Sequence, residues 1–223
     1  MARAFLPLLG LAASLLGACA DVSQVDTPLL GRLAWFAFLG GEDIRDQCRP
    51  GEPARYRFVY NAVFDEQVRS YDLTRTLDGA SLDIRVPPAG ASPLRLNGFS
   101  NDFGPRARLT RPIDAETYRT IARQLEADGF GRPTPTDQAF PSWDFYWIVS
   151  ACAEGQFHVY GWRNGTPDFA ALKFPALLFA QDRTGAPVNP VRSNTYADYQ
   201  TRIRQDMPDL NFNVRLGPQG IRR

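Results

Sequence analysis

Residues 55–64 (RYRFVYNAVF) alternate along the chain, with Tyr56, Phe58, Tyr60, Ala62 and Phe64 on one face and Arg55, Arg57, Val59, Asn61 and Val63 on the other. A period of two in aromatic and β-branched residues predicts a strand. After Asp65-Glu66 a weaker alternation resumes over 67–76 (QVRSYDLTRT), which predicts a hairpin, and Asp78-Gly79 marks the next turn. Residues 81–86 (SLDIRV) form a third expected strand, stopped by Pro87-Pro88. Residues 89–112 are rich in Gly, Pro, Asn and Arg and read as loop with room for short strands. A second hairpin is expected from 145–152 (FYWIVSAC) and 156–162 (QFHVYGW) around Glu154-Gly155.

The period changes at 115–128, where Tyr118, Ile121, Ala122 and Leu125 make an apolar stripe between a capping Asp114 and a stop at Gly129. Tyr196 to Met207 predicts a second amphipathic helix with Tyr199 and Ile203 on one face. Phe169 to Phe179 is apolar but broken by Pro175, which suits a short helix or a strand beside a turn. Residues 210–216 (LNFNVRL) alternate and are expected to close the sheet. Leu29 to Leu39 is nearly all apolar and ends at Gly40-Gly41; it is an early core element or a surface lying near a bilayer. These patterns predict an α+β fold: one domain, an antiparallel sheet built from hairpins, and two packed helices, with 115–128 across one face.

Ahead of this, Arg3 precedes an apolar run from Ala4 to Leu16, followed by Leu16-Gly17-Ala18-Cys19. The pattern resembles the lipobox of bacterial lipoproteins. That resemblance implies cleavage before Cys19, lipidation of its thiol and acylation of the new amino terminus. It divides the chain into a signal peptide (1–18), a lipidated terminus and tether (19–28) and a single domain (29–223). The run is too short to span a bilayer, which takes about 20 residues. An ordinary secretory signal, with Cys19 a mature cysteine, is the alternative. Ala20 stands where lipoproteins held in the inner membrane often carry Asp, so the resemblance points to the outer membrane, facing the periplasm.

Composition narrows the function classes. The chain has 25 basic and 24 acidic residues, and loss of Arg3 balances them, which argues against a nucleic-acid binder with its basic stripe. Setting Cys19 aside, Cys48 and Cys152 are an even pair in an exported chain, and a disulfide is the economical expectation. They lack Cys-x-x-Cys spacing, and with His158 as the single histidine they cannot fill a four-ligand zinc site without a carboxylate. No phosphate-cradling glycine loop is present, so no metal and no cofactor is expected.

Candidate chemistry is sparse. With a three-residue loop (Ala153-Glu154-Gly155), Ser150 would face His158 across the second hairpin and Asp144 could orient the imidazole, a hydrolase-like trio in roles. With a two-residue loop Ala151 faces His158 and the pair disappears. Asp182-Arg183-Thr184-Gly185 resembles the phosphorylation loop of cation-pumping ATPases, but a turn explains it; Asn164-Gly165-Thr166 likewise reads as a turn. His158, Tyr160 and Trp162 share one face at either loop length and are the candidate ligand face, with core packing the ordinary alternative. The functional expectation is a non-enzymatic envelope lipoprotein, bound to the membrane through its lipid and acting through contacts with an envelope protein or as an accessory. A periplasmic module binding a small glycan or apolar ligand is the alternative, and a hydrolase the remote one.

Overall fold

The computed structural model describes residues 28–87, 107–203 and 211–222; the lipobox-like segment lies outside them. Helix α1 (Pro28–Gly40) and the short α2 (Glu42–Asp46) precede strands β1 (Arg55–Ala62), β2 (Val68–Arg75) and β3 (Gly79–Arg85). Strand β4 (Arg108–Asp114) runs directly into α3 (Ala115–Ala127). Strands β5 (Ala139–Pro141), β6 (Phe145–Ala153) and β7 (Gln156–Arg163) follow. Helices α4 (Pro167–Ala170), α5 (Phe174–Gln181) and α6 (Tyr196–Ile203) come next, then β8 (Asn213–Gly217) and β9 (Gly220–Arg222).

Six strands pair in the order β4-β3-β2-β1-β6-β7, and β5-β8-β9 form a smaller sheet. Every pairing is antiparallel, with Phe58 of β1 facing Tyr71 on one side and Val149 on the other. The fold is α+β, a single domain, as the alternation predicts. One face of the main sheet carries Tyr56, Phe58, Tyr71, Leu73, Leu82 and Trp147, which pack against Ile121 and Leu125 of α3 and Phe174 and Leu178 of α5. The opposite face carries Val59, Tyr146, Ile148 and Val159 beneath Trp35, Phe38 and Leu39 of α1 and Phe140, Val214 and Leu216 of the small sheet. Covered on both faces, β1 is buried almost throughout. The apolar run over 29–39 is therefore a helix that supplies Trp35, Phe38 and Leu39 to the core and leaves Leu33 exposed.

Local chemistry sets the helix boundaries. Asp114 caps α3, its Oδ1 accepting the Thr117 amide at 2.8 Å. At the far end Asp128 accepts the amides of Lys173 and Phe174, both at 2.8 Å, so the carboxylate that follows α3 caps α5. Pro175 sits in the first turn of α5, where a missing N–H costs no helical hydrogen bond. Gly41 bends the chain between α1 and α2 at φ +69, and a Cβ there would run into Ser150.

Three expectations need correction. Residues 108–114 are a seven-residue edge strand that begins within 89–112, where the sequence left room only for short strands, and runs past it; Pro112 and three flanking charges mask the alternation of Leu109 and Ile113, and an edge tolerates proline. The alternation at 210–216 does not close the main sheet: 213–217 join the small sheet, because Phe212, Val214 and Leu216 bury against the α1 side. The helices among the described residues number six: beside the two expected, the apolar run at 28–40 and the Pro175 segment at 174–181 are helical, and so are 42–46 and 167–170, which carry too few residues to show a period.

Candidate functional site

The β6–β7 turn decides the Ser150 question. Glu154 (φ 53) and Gly155 (φ 76) both take positive φ, as a two-residue type I′ turn requires. Ala153 therefore pairs with Gln156, Ala151 faces His158, and Ser150 faces Val159. Ser150 lies fully buried beneath Gly41 on the α1 side, while His158 stands on the α3 side with its ring edge-on to Phe130 at 4.9 Å. Asp144 is held elsewhere, accepting from Phe145 N at 2.8 Å and Arg163 Nε at 2.7 Å. The trio is not assembled. Asp182 accepts from the Thr184 amide and hydroxyl at 2.9 and 2.6 Å, a turn in which its other oxygen binds Arg69 and the Tyr71 hydroxyl.

The aromatic face is filled by the chain itself. Trp162 is 1 % exposed, lies 4.7 Å from the Tyr160 ring and 5.4 Å from Phe174, and donates its indole N–H to the Asp128 carbonyl at 3.3 Å. The predicted ligand face at His158, Tyr160 and Trp162 is thus core and half-buried rim, with Phe174 of α5 against Trp162, Arg132 over Tyr160 and Phe130 against His158.

Polar groups converge instead on the other face, beyond the edge of α1. Arg57, Asp72, Asp83 and Thr110 are direct cross-strand partners from β1 to β4, so two carboxylates face each other in one row. Like charges in that position repel, and arginines resolve the conflict. Arg57, 2 % exposed, donates through Nε to Asp72 (2.9 Å) and through both Nη atoms to Asp43 of α2 (2.7 and 3.0 Å), and it also bonds the Phe38 carbonyl. Its guanidinium stacks 3.9 Å over the Phe38 ring. Arg55 adds a 3.0 Å pair to Asp43, while Asp83 accepts from Arg85, Arg108 and Thr110.

Burial alone would raise the Asp43 pKa, but Arg57 and Arg55 outweigh it and hold it below 3.8. The same opposition, with Arg108 and Arg85 prevailing, lowers Asp83. A carboxyl with a depressed folded pKa contributes stability above its ordinary value and loses it as the pH falls through the folded one. The urea midpoint is therefore expected to decline below about pH 4, and less steeply in Asp43→Asn; a flat wild-type midpoint down to about pH 3 would contradict this.

Beside this network lies a cleft of about 370 Å³ with Asp72, Thr74, Ser81 and Asp83 on its floor and Ile44, Glu52 and Cys152 in its walls. The disulfide Cys48–Cys152 (Cα–Cα 5.5 Å) is formed and pins the segment after α2 against the end of β6, which fixes one wall. Sequence reasoning missed the cleft; its one local trace is the charge on the non-aromatic side of the first three strands (Arg55, Arg57, Asp72, Asp83, Arg85). Among the described residues no helix is long and apolar enough to cross a membrane, and no three His, Cys, Asp or Glu side chains group as metal ligands. No family model, no curated protein and no solved structure matches the chain.

Proposed function

We propose that the protein is a bacterial envelope lipoprotein, anchored through lipid on Cys19 and working through contacts made by its α+β domain rather than by turnover. The observation that carries this is Arg3, the apolar run to Leu16 and the Leu16-Gly17-Ala18-Cys19 motif. Several acyl chains at the cysteine would anchor stably where one would not. A disulfide closing 104 residues suits an oxidising compartment. Separation of Ser150 from His158 removes the enzymatic constellation that the sequence offered.

Under this proposal the domain has an orientation. Trp35 of α1 meets Phe64, and Phe38, further along the helix, meets Arg57, so α1 carries the chain from the β1–β2 turn towards the Arg55 end of the sheet. The tether would join at the opposite end from the cleft. Eight residues from Ala20 to Thr27 reach at most ~28 Å, which would keep the domain close to the bilayer with its cleft turned away. Cys19→Ser is expected to move the protein from membrane to soluble fractions or to stall its processing. Unchanged membrane retention with normal cleavage would refute the anchor. In-cell crosslinking that recovers no envelope protein would count against action through protein contacts.

A further inference from the structure

We propose that the cleft beside the disulfide binds a small neutral polyhydroxylated ligand, one or two sugar rings. Its volume, about 370 Å³, lies at the lower end of the range for small-molecule sites. In and beneath it stand Arg55, Arg57, Arg85 and Arg108 against Asp43, Glu52, Asp72 and Asp83, so the formal charge is balanced. An anion would find the guanidinium groups of Arg57 and Arg85 already paired with carboxylates, and a metal ion would find both oxygens of Asp83 taken by arginines.

Hydrogen-bonding capacity remains where a hydroxyl-rich molecule would use it. Asp72 lines the cleft at 6 % exposure, but its unpartnered Oδ2 is closed to solvent, so the accessible capacity lies on its neighbours. Thr74 and Ser81 are direct cross-strand partners on the floor, both half-buried. Their hydroxyls, like the Glu52 carboxylate on the wall, are engaged by no other described side chain. A sugar hydroxyl both donates and accepts, so adjacent hydroxyls would give to Glu52 while taking from Thr74, Ser81 and Arg55. Pro53 offers the apolar wall for the C–H face of a ring.

The test is saturation-transfer NMR on the full chain in a non-glycosidic detergent, with glucose, N-acetylglucosamine and maltose as probes and with arginine, glutamate and inorganic phosphate as charged counterparts. At least one sugar is expected to bind with a dissociation constant tighter than about 10 mM. Thr74→Val with Ser81→Ala, checked for an unchanged melting temperature, should weaken it about tenfold. Glu52→Gln on the exposed wall should weaken it less, and guards against loss of fold in the double variant. Absence of binding by all three sugars, equal binding in the folded double variant, or saturation by a charged probe alone would each overturn the proposal.

Discussion

Replacing Arg57 with alanine is expected to lower the unfolding free energy by about 3–5 kcal/mol, the usual cost of stranding buried charges. Arg57 is the hub through which α2 is held to the sheet: it bonds Asp43 with both Nη atoms, Asp72 with Nε and the last turn of α1 through the Phe38 carbonyl. Its removal leaves Asp72 facing Asp83 with weaker compensation and opens a void beside Phe38. Arg55 is the one nearby replacement, at 3.0 Å from Asp43 and 3.6 Å from Asp72, so the loss should fall towards the lower end of the range. Against a typical domain stability of roughly 5–15 kcal/mol this is a large fraction. Urea titrations followed by tryptophan fluorescence measure it directly. Arg57→Lys should be intermediate, because an ammonium keeps the charge but cannot fork between two carboxylates. A loss below about 1 kcal/mol in Arg57→Ala would show that Arg55 takes over both partners and that Arg57 is dispensable.

The second large effect is expected at Cys48 and Cys152. Their sequence separation is 104, and the chain-entropy cost of leaving such a loop open is about 4.7 kcal/mol. Replacing both by serine should destabilise the domain by roughly 2–5 kcal/mol, the range found for exported domains. The reason is positional as well as entropic. Residues 47–53 cross from α2 to β1 as bends and turns, and the disulfide acts there together with the Asp43 pairs to Arg55 and Arg57, buried Ile44 and the Arg45 bond to the Gln219 carbonyl. The double variant should therefore also loosen the cleft wall, and any ligand affinity there should fall with stability. Native protein, unreduced, should resist thiol alkylation at both positions. Labelling of both cysteines, or a double variant within about 1 kcal/mol of wild type, would contradict the expectation.

Several elements were legible from local pattern alone. Alternation over 55–64 and 67–76, the 81–86 run before Pro87-Pro88 and the Glu154-Gly155 turn between 145–152 and 156–162 placed strands that the fold contains, because aromatic and β-branched content and turn residues act locally even where, as in β1 and β6, both faces are buried. Asp114 and Gly129 bracketed α3, because caps are chemistry within one turn of the chain. Strand β4 was hidden by Arg108, Arg111 and Pro112, residues an edge position permits and a central one would not. The disulfide followed from counting thiols, and the structure forms it. The aromatic crowd at Trp147, Tyr160 and Trp162 was visible too, but periodicity reports only that these rings share a face. It does not say whether solvent, a ligand or α5 lies against them.

Most strands of the main sheet, the α3 boundaries and the cysteine pair are written in neighbouring residues and could be read without the fold. Tertiary structure alone decided the rest. A one-residue difference in the β6–β7 turn sent Ser150 and His158 to opposite faces, since the side-chain period of a strand is two. Burial of Val214 and Leu216 beside α1 carried 213–217 into a second sheet. The cleft exists because α1 and that small sheet cover β1, β6, β7 and the start of β2 at Val68 but not the Asp72 end of β2 or β3, leaving the Asp72–Asp83 row to be neutralised by arginines drawn from three strands. Register and layer coverage join residues far apart in the chain, and no local period carries that information.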